Sequence, residues 1–118
     1  MKQSSNPELI SIRRLLRRKA AELNVPLWRS LAEKLEKSKH RRCVVNISRI
    51  NRYTREGDTV TVPGKVVGSG SLNHKVCVAA FQFSDTARKK IEEAGGRCLY
   101  FSTLIKENDL GKNVRIIG

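Results

Sequence analysis

The sequence predicts a small single α/β domain with a basic helical region at its N-terminus. Three observations predict it. Valine-rich runs such as Thr59–Val62 and Val76–Phe83 alternate with helix-period patterns in the second half. A length of 118 residues fits one domain and leaves little room for another. Lys plus Arg number 24 against 11 Asp plus Glu, and the resulting net charge of +13 is concentrated early in the chain.

The first helix is expected from Ser5 or Asn6, where Ser5-Asn6-Pro7-Glu8 has the form of a capping box. Leu9, Ile12, Leu16, Ala20 and Leu23 share one narrow stripe at helical spacing, and Arg13, Arg14, Arg17 and Arg18 gather on the adjacent flank, with Glu22 to offset them. Asn24-Val25-Pro26 breaks this helix. Asn24 is expected to cap a second helix running to about Lys37, with Leu27, Trp28, Leu31 and Leu35 as its apolar stripe. Trp28, the single tryptophan, reads as a core anchor between helices.

A loop with Lys39, His40, Arg41 and Arg42 follows. Cys43–Asn46 reads as a short buried strand. Ile47 to Tyr53 reads as a short helix carrying Arg49 and Arg52, with Arg55 just beyond it. Thr59–Val62 alternates as a strand, which Pro63-Gly64-Lys65 is expected to stop. After a Gly-rich segment, Val76–Phe83 is the strongest strand. Ser84 caps a helix to about Ala94, ended by Gly95-Gly96 with positive φ available. Cys98–Phe101 is expected as a strand, Ser102 as the cap of a last short helix, and Val114–Ile117 as the closing strand.

Charge divides the chain. Residues 1–56 carry 15 Lys/Arg and 5 Asp/Glu, a net of +10, and form the basic helical region. Residues 57–118 carry a net of only +3 and form the α/β core with its Gly-rich loop, the two regions packing as one domain. Charge this far from neutrality repels itself in the compact state and favours a polyanionic partner. Aromatics make up 5%, so the core is aliphatic and exposed stacking platforms are expected to be scarce. Neither a membrane span nor a secretory signal is expected. The odd, scattered cysteines (Cys43, Cys77, Cys98) point to reduced thiols acting as small apolar residues.

Tests for catalytic chemistry fail. The Gly64–Lys75 stretch lacks the Gly-Lys-Ser/Thr ending of a phosphate-binding P-loop. It also lacks the third glycine of a dinucleotide fingerprint, since residue 73 is Asn. Zinc would need two ligand pairs, and only His40 with Cys43 is close in sequence, so no metal and no cofactor is expected. A helix-turn-helix is disfavoured because its second helix would begin Pro26-Leu27-Trp28, which is apolar where base-reading residues belong. The Gly-rich loop remains, with the backbone of Gly68, Ser69 and Gly70 able to approach an anion and Lys65, His74 and Lys75 nearby.

Val62-Pro63-Gly64-Lys65-Val66-Val67-Gly68-Ser69-Gly70, with His74-Lys75-Val76, Val78-Ala79-Ala80-Phe81, Ser84, Ala87, Lys90-Ile91 and Ala94-Gly95-Gly96, resembles the archaeal/eukaryotic L-eighteen-e family of large-subunit ribosomal proteins. That family shares a superfamily with the bacterial-type L-fifteen proteins. The likeness covers nearly the whole chain. Val67, where Leu is more usual, and Cys77, where a hydroxyl or β-branched residue is more usual, depart from it as packing changes. The resemblance implies irregular β-β-α units behind a helical N-terminal region. It also implies a structural protein of the large ribosomal subunit, of compact archaeal type, cytoplasmic, without catalytic residues, and bound to large-subunit rRNA beside neighbouring ribosomal proteins. No membrane and no small-molecule substrate is expected.

Charge and pattern then nominate the RNA-binding residues. Arg13, Arg14, Arg17, Arg18, Lys39, Arg41 and Arg42 would neutralise phosphates, and Lys65, Gly68, Ser69, Gly70, Asn73, His74 and Lys75 would follow the RNA backbone. Two alternatives are a free RNA-binding regulator and an RNA-processing enzyme using Ser69 and His74.

Overall fold

The computed structural model describes residues 7–36, 43–108 and 110–118. The elements run α1 (Pro7–Leu23), α2 (Pro26–Leu35), β1 (Cys43–Asn46), α3 (Ile47–Tyr53), β2 (Asp58–Val67), β3 (Val76–Phe83), α4 (Asp85–Glu93), β4 (Arg97–Leu99), α5 (Phe101–Glu107) and β5 (Val114–Ile116). The fold is α/β, as expected.

All strand pairings are parallel. The sheet runs β1-β2-β3-β4, and β5 also pairs with β2. β1 and β5 share one edge of β2: β5 lies along its start (Thr59 opposite Val114) and β1 along its end (Cys43 opposite Gly64). A parallel sheet must be covered on both faces, and alternation along β3 shows how this is met. Val76, Val78 and Ala80 face a core completed by Ile47 and Ile50 of α3 and Ala87 and Ile91 of α4. Ala79 and Phe81 face the opposite core, built from Leu9, Leu16 and Ala20 of α1, Trp28, Leu31 and Leu35 of α2, and Phe101, Leu104 and Ile105 of α5. The molecule is therefore a three-layer sandwich with α3 and α4 on one face and α1, α2 and α5 on the other. The chain moves from β1 to β4 with its crossovers on the first face and returns to β5 through α5 on the second, so one crossover hand is kept throughout.

Five local expectations are corrected. Pro63-Gly64 does not end β2; the strand continues to Val67, with a register shift between Val62 and Lys65. A proline lacks the N–H of the ladder, and a bulge absorbs that loss without breaking the strand. At Gly64 a Cβ would lie 2.0 Å from the carbonyl oxygen of Cys43, so only glycine lets β1 approach there. Asn24 does not cap α2, whose N-cap is Val25 with no side-chain bond. Asn24 instead sits at φ 56 and donates its N–H to the Ala20 carbonyl at 2.9 Å, which closes α1 in the left-handed conformation that asparagine tolerates.

Phe101 opens α5 and does not extend β4, and the N-cap is Tyr100, not Ser102, with no side-chain bond. β1 is only half buried: Val45 is fully enclosed, whereas Val44 is exposed. Two expectations about α4 hold. Ser84 accepts the Ala87 N–H at 3.1 Å as the cap of α4, and Gly95 ends that helix region at φ +87. The capping box around Ser5 and Asn6 lies outside the described residues.

Candidate nucleic-acid interface

The connection from β2 to β3 has no helix. Eight residues, 68–75, carry the chain back along a strand of eight residues. Returning along β3 takes about 23 Å at strand rise, and eight residues reach at most about 26–29 Å, so the segment must run almost fully extended. It lies between α3 and α4 in the layer where a third helix would otherwise sit.

Hydrogen bonds tie it to both sides. On the α3 side, the Ser48 N–H donates to the Ser69 carbonyl at 3.1 Å, and the Asn73 N–H donates to Asn51 Oδ1 at 2.9 Å. The Gly57 N–H donates to the Lys75 carbonyl at 2.8 Å, and the Lys75 N–H donates to Glu56 Oε1 at 3.1 Å. On the α4 side, Lys90 Nζ donates to the carbonyls of Gly68 and Gly70, both at 2.6 Å. The two glycines have a packing reason. A Cβ at Gly68 would meet Thr86 Cγ2 of α4 at 2.5 Å, and one at Gly70, where φ is +91, would meet Ser48 Cβ of α3 at 2.4 Å. The groove between the helices is too narrow for side chains there.

His74 is held by a directed chain. Thr54 Oγ1 donates to the Ile50 carbonyl at 2.6 Å and lies 2.7 Å from His74 Nε2. The single hydroxyl proton is used on Ile50, so Nε2 carries a proton and donates to Thr54. This fixes the tautomer and orients the ring, and it ties the Nε2 of His74 to Thr54 and not to Ser69.

Beside this segment α3 presents its outer face. Arg49, Arg52 and Arg55 are exposed, and among the described residues none of them takes part in an ion pair. The carboxylates near them are used otherwise: Asp58 Oδ2 accepts the Arg55 N–H at 2.9 Å, and Glu56 accepts from Lys75. Tyr53 is 53% exposed. The Arg49 and Arg52 guanidinium carbons lie 6.0 and 5.8 Å from its ring centre. Arg115 of β5 donates to the Tyr53 carbonyl at 3.0 Å.

The α1 flank is arranged differently. Arg14, Arg17 and Arg18 are exposed and Arg13 is half-buried. Arg17 is bonded to Glu36 beyond the end of α2, a partner that sequence position did not reveal. Glu22 lies 3.3 Å from Lys19 and 3.9 Å from Arg18.

The remaining nominated residues fall apart. Lys65 is exposed within β2, next to Val66 of the α3–α4 core, so alternation turns it to the opposite face from the loop. Lys39, Arg41 and Arg42, with His40, lie outside the described residues.

A scan against protein families matches residues 2–118 to the model described as ribosomal protein 60S L18 and 50S L18e. The chain belongs to that family. It is 49% identical to the large ribosomal subunit protein eL18 of Methanothermobacter thermautotrophicus, with 96% of this chain and 93% of the relative covered. The eL18 of Methanospirillum hungatei JF-1 is 46% identical at the same coverage, and that of Archaeoglobus fulgidus is 42% identical with 98% of each chain covered. The L18/L18e family is one of ribosomal proteins and not of enzymes.

In this L18e-family chain the three cysteines are free thiols in β1, β3 and β4. Burial pushes each thiol up, and Cys98 reaches about 11. Among the described residues no group of three His, Cys, Asp or Glu is placed to hold a metal. A hollow of about 460 Å³ opens between Lys75, Cys77, Gly96 and Leu104, but its arginine, Arg97, is held by Glu107 through two bonds of 3.0 and 2.8 Å. That guanidinium keeps the Glu107 carboxyl below the usual range.

Sequence reasoning nominated neither Arg49, Arg52, Tyr53, Arg55 and Arg115 nor the clamp Lys90. The available signal was three arginines at spacings of three, two in a short helix and one just beyond it, next to too few acids to neutralise them.

Proposed function

We propose that this chain is a structural constituent of the large ribosomal subunit that binds and stabilises large-subunit rRNA in the cytoplasm and catalyses no reaction. The observation that carries the reading is the row of guanidiniums along α3 and just beyond it, without an ion pair among the described residues, set beside an extended backbone held between two helices. Arginine is the bidentate ligand of phosphate, and folded RNA is recognised through phosphates, 2′-hydroxyls and shape. Arg49, Arg52 and Arg55 take phosphates; Ser69, Asn73, His74 and Lys75 follow the backbone beside them. Arg13 and Arg14 add a second contact from the other face of the sheet, and neighbouring ribosomal proteins cover part of the rest. The names of the eL18 relatives support the assignment to the large subunit.

Sucrose gradients at low and high salt test the reading. The chain is expected to sediment with the large subunit at both. A substantial pool apart from ribosomes at low salt would favour a free regulator. Turnover of RNA by the purified protein that is lost on His74→Ala would favour an enzyme.

A further inference from the structure

Both tyrosines are exposed, Tyr53 by 53% and Tyr100 by 66%, whereas Trp28 and Phe101 are buried. Exposed aromatics are scarce, but these two rings are open to a partner. The two tyrosines differ in their surroundings. Tyr53 ends α3, and its carbonyl is bonded by Arg115, so the base of its side chain is fixed. The Arg49 and Arg52 guanidinium carbons stand over its ring at 6.0 and 5.8 Å, the outer limit of a cation–π contact. A hollow of about 280 Å³ opens beside it, lined by Arg49, Tyr53, Arg115, Ile116, Ile117 and Gly118. Among the described residues no guanidinium stands over Tyr100.

We infer that Tyr53 is a stacking platform for one unpaired base of large-subunit rRNA. The base lies on the phenol ring and reaches into the hollow beside Ile116, while Arg49, Arg52 and Arg115 take the phosphates on either side of the extruded nucleotide. An exposed aromatic ring among three guanidiniums is costly for a protein partner to cover, because among the described residues no carboxylate is ion-paired with them to offset their mutual repulsion. A nucleotide supplies both the π-face and the negative charge. The inference rests on the rRNA-binding reading and names the RNA feature recognised.

The test is filter binding of the full chain to transcribed large-subunit rRNA over a salt series, with Tyr53→Phe, Tyr53→Leu, Tyr53→Ala and Tyr100→Ala. Circular dichroism melts establish that each variant folds. Loss of one stacked base weakens binding by about 5- to 100-fold, so Tyr53→Ala and Tyr53→Leu should fall in that range at an unchanged salt slope. Tyr53→Phe and Tyr100→Ala should bind as the parent does. If Tyr53→Ala binds rRNA as Tyr100→Ala does, the platform is refuted while the rRNA reading stands. The same holds if it binds rRNA normally yet enters large subunits poorly, which would make the patch a protein contact. If the parent chain itself shows no salt-dependent rRNA binding, both readings fall.

Discussion

The two helical layers flanking the sheet both carry arginines, but they use them differently. On the α1–α2 face, Arg17 is bonded to Glu36 and Arg18 shares Glu22 with Lys19. On the α3 face, Arg49, Arg52 and Arg55 have no ion pair among the described residues, and the adjacent carboxylates are turned to backbone N–H groups. The α1–α2 layer also holds the largest buried side chain, Trp28, while the α3 layer is thin and includes an extended segment in place of a helix. Cations already satisfied within the fold contribute to its surface; cations left unsatisfied leave room for a partner. Counting charges by sequence favours α1, and counting their partners favours α3.

The largest expected effect tests the structural role of the first face. Trp28 is fully enclosed, so Trp28→Ala should cost about 3–5 kcal/mol through lost burial and a cavity, read as a lower urea midpoint. A loss under about 1 kcal/mol would mean that α1 and α2 are not anchored by this ring. Next comes the clamp on the second face. Lys90→Met keeps the stem but leaves the Gly68 and Gly70 carbonyls without their ammonium donor, and should cost about 1.5–3 kcal/mol. Amide exchange at Ser48 and Asn73, whose N–H groups bond between the segment and α3, should then quicken; unchanged protection there would show that α3 alone holds the segment.

Gly70→Ala follows, at about 1–3 kcal/mol, because the new methyl meets Ser48 at a positive φ. Ser48→Gly in the same chain should recover part of that loss, and no recovery would separate the backbone strain from the contact. The smallest effect is chemical. Cys98 titrates in the folded chain at about 11, above the unfolded value of 9.0. The folded state therefore favours the protonated thiol: the stability this gives is intact below pH 9 and is lost as pH rises through about 11. Alkylation of Cys98 at pH 8 should be slower in the native chain than in urea, and equal rates by mass spectrometry would contradict the burial effect.

Much of the fold was legible because periodicity reports burial directly. The stripe from Leu9 to Ala20, the strand at Val76–Phe83 and the Ser84 cap all have local signatures that tertiary packing then used. The misses occurred where one residue type serves two roles. Pro63-Gly64 reads as a stop but makes a bulge, because the cost of a missing N–H depends on what the neighbouring strands do. Asn24 fits both the end of one helix and the start of the next, and φ decides between them. In the candidate site, the arginines of α3 were visible as residues, but their availability was not. It depends on where Glu22, Glu36, Glu56 and Asp58 are directed, and two of those four bonds join residues nineteen apart. The glycines read as a close approach to an anion, and what the structure brings close to them is α3 and α4.

The most direct test compares the two faces in one assay: the salt dependence of binding to large-subunit rRNA for Arg49→Ala/Arg52→Ala against Arg17→Ala/Arg18→Ala. Each lost phosphate contact lowers the logarithmic slope by about 0.7–0.9. The α3 pair should therefore lower it by about 1.5, and the α1 pair by less than half of that. An α1 pair that lowers the slope as much as the α3 pair, or more, would contradict the account and return the main contact to the first helix.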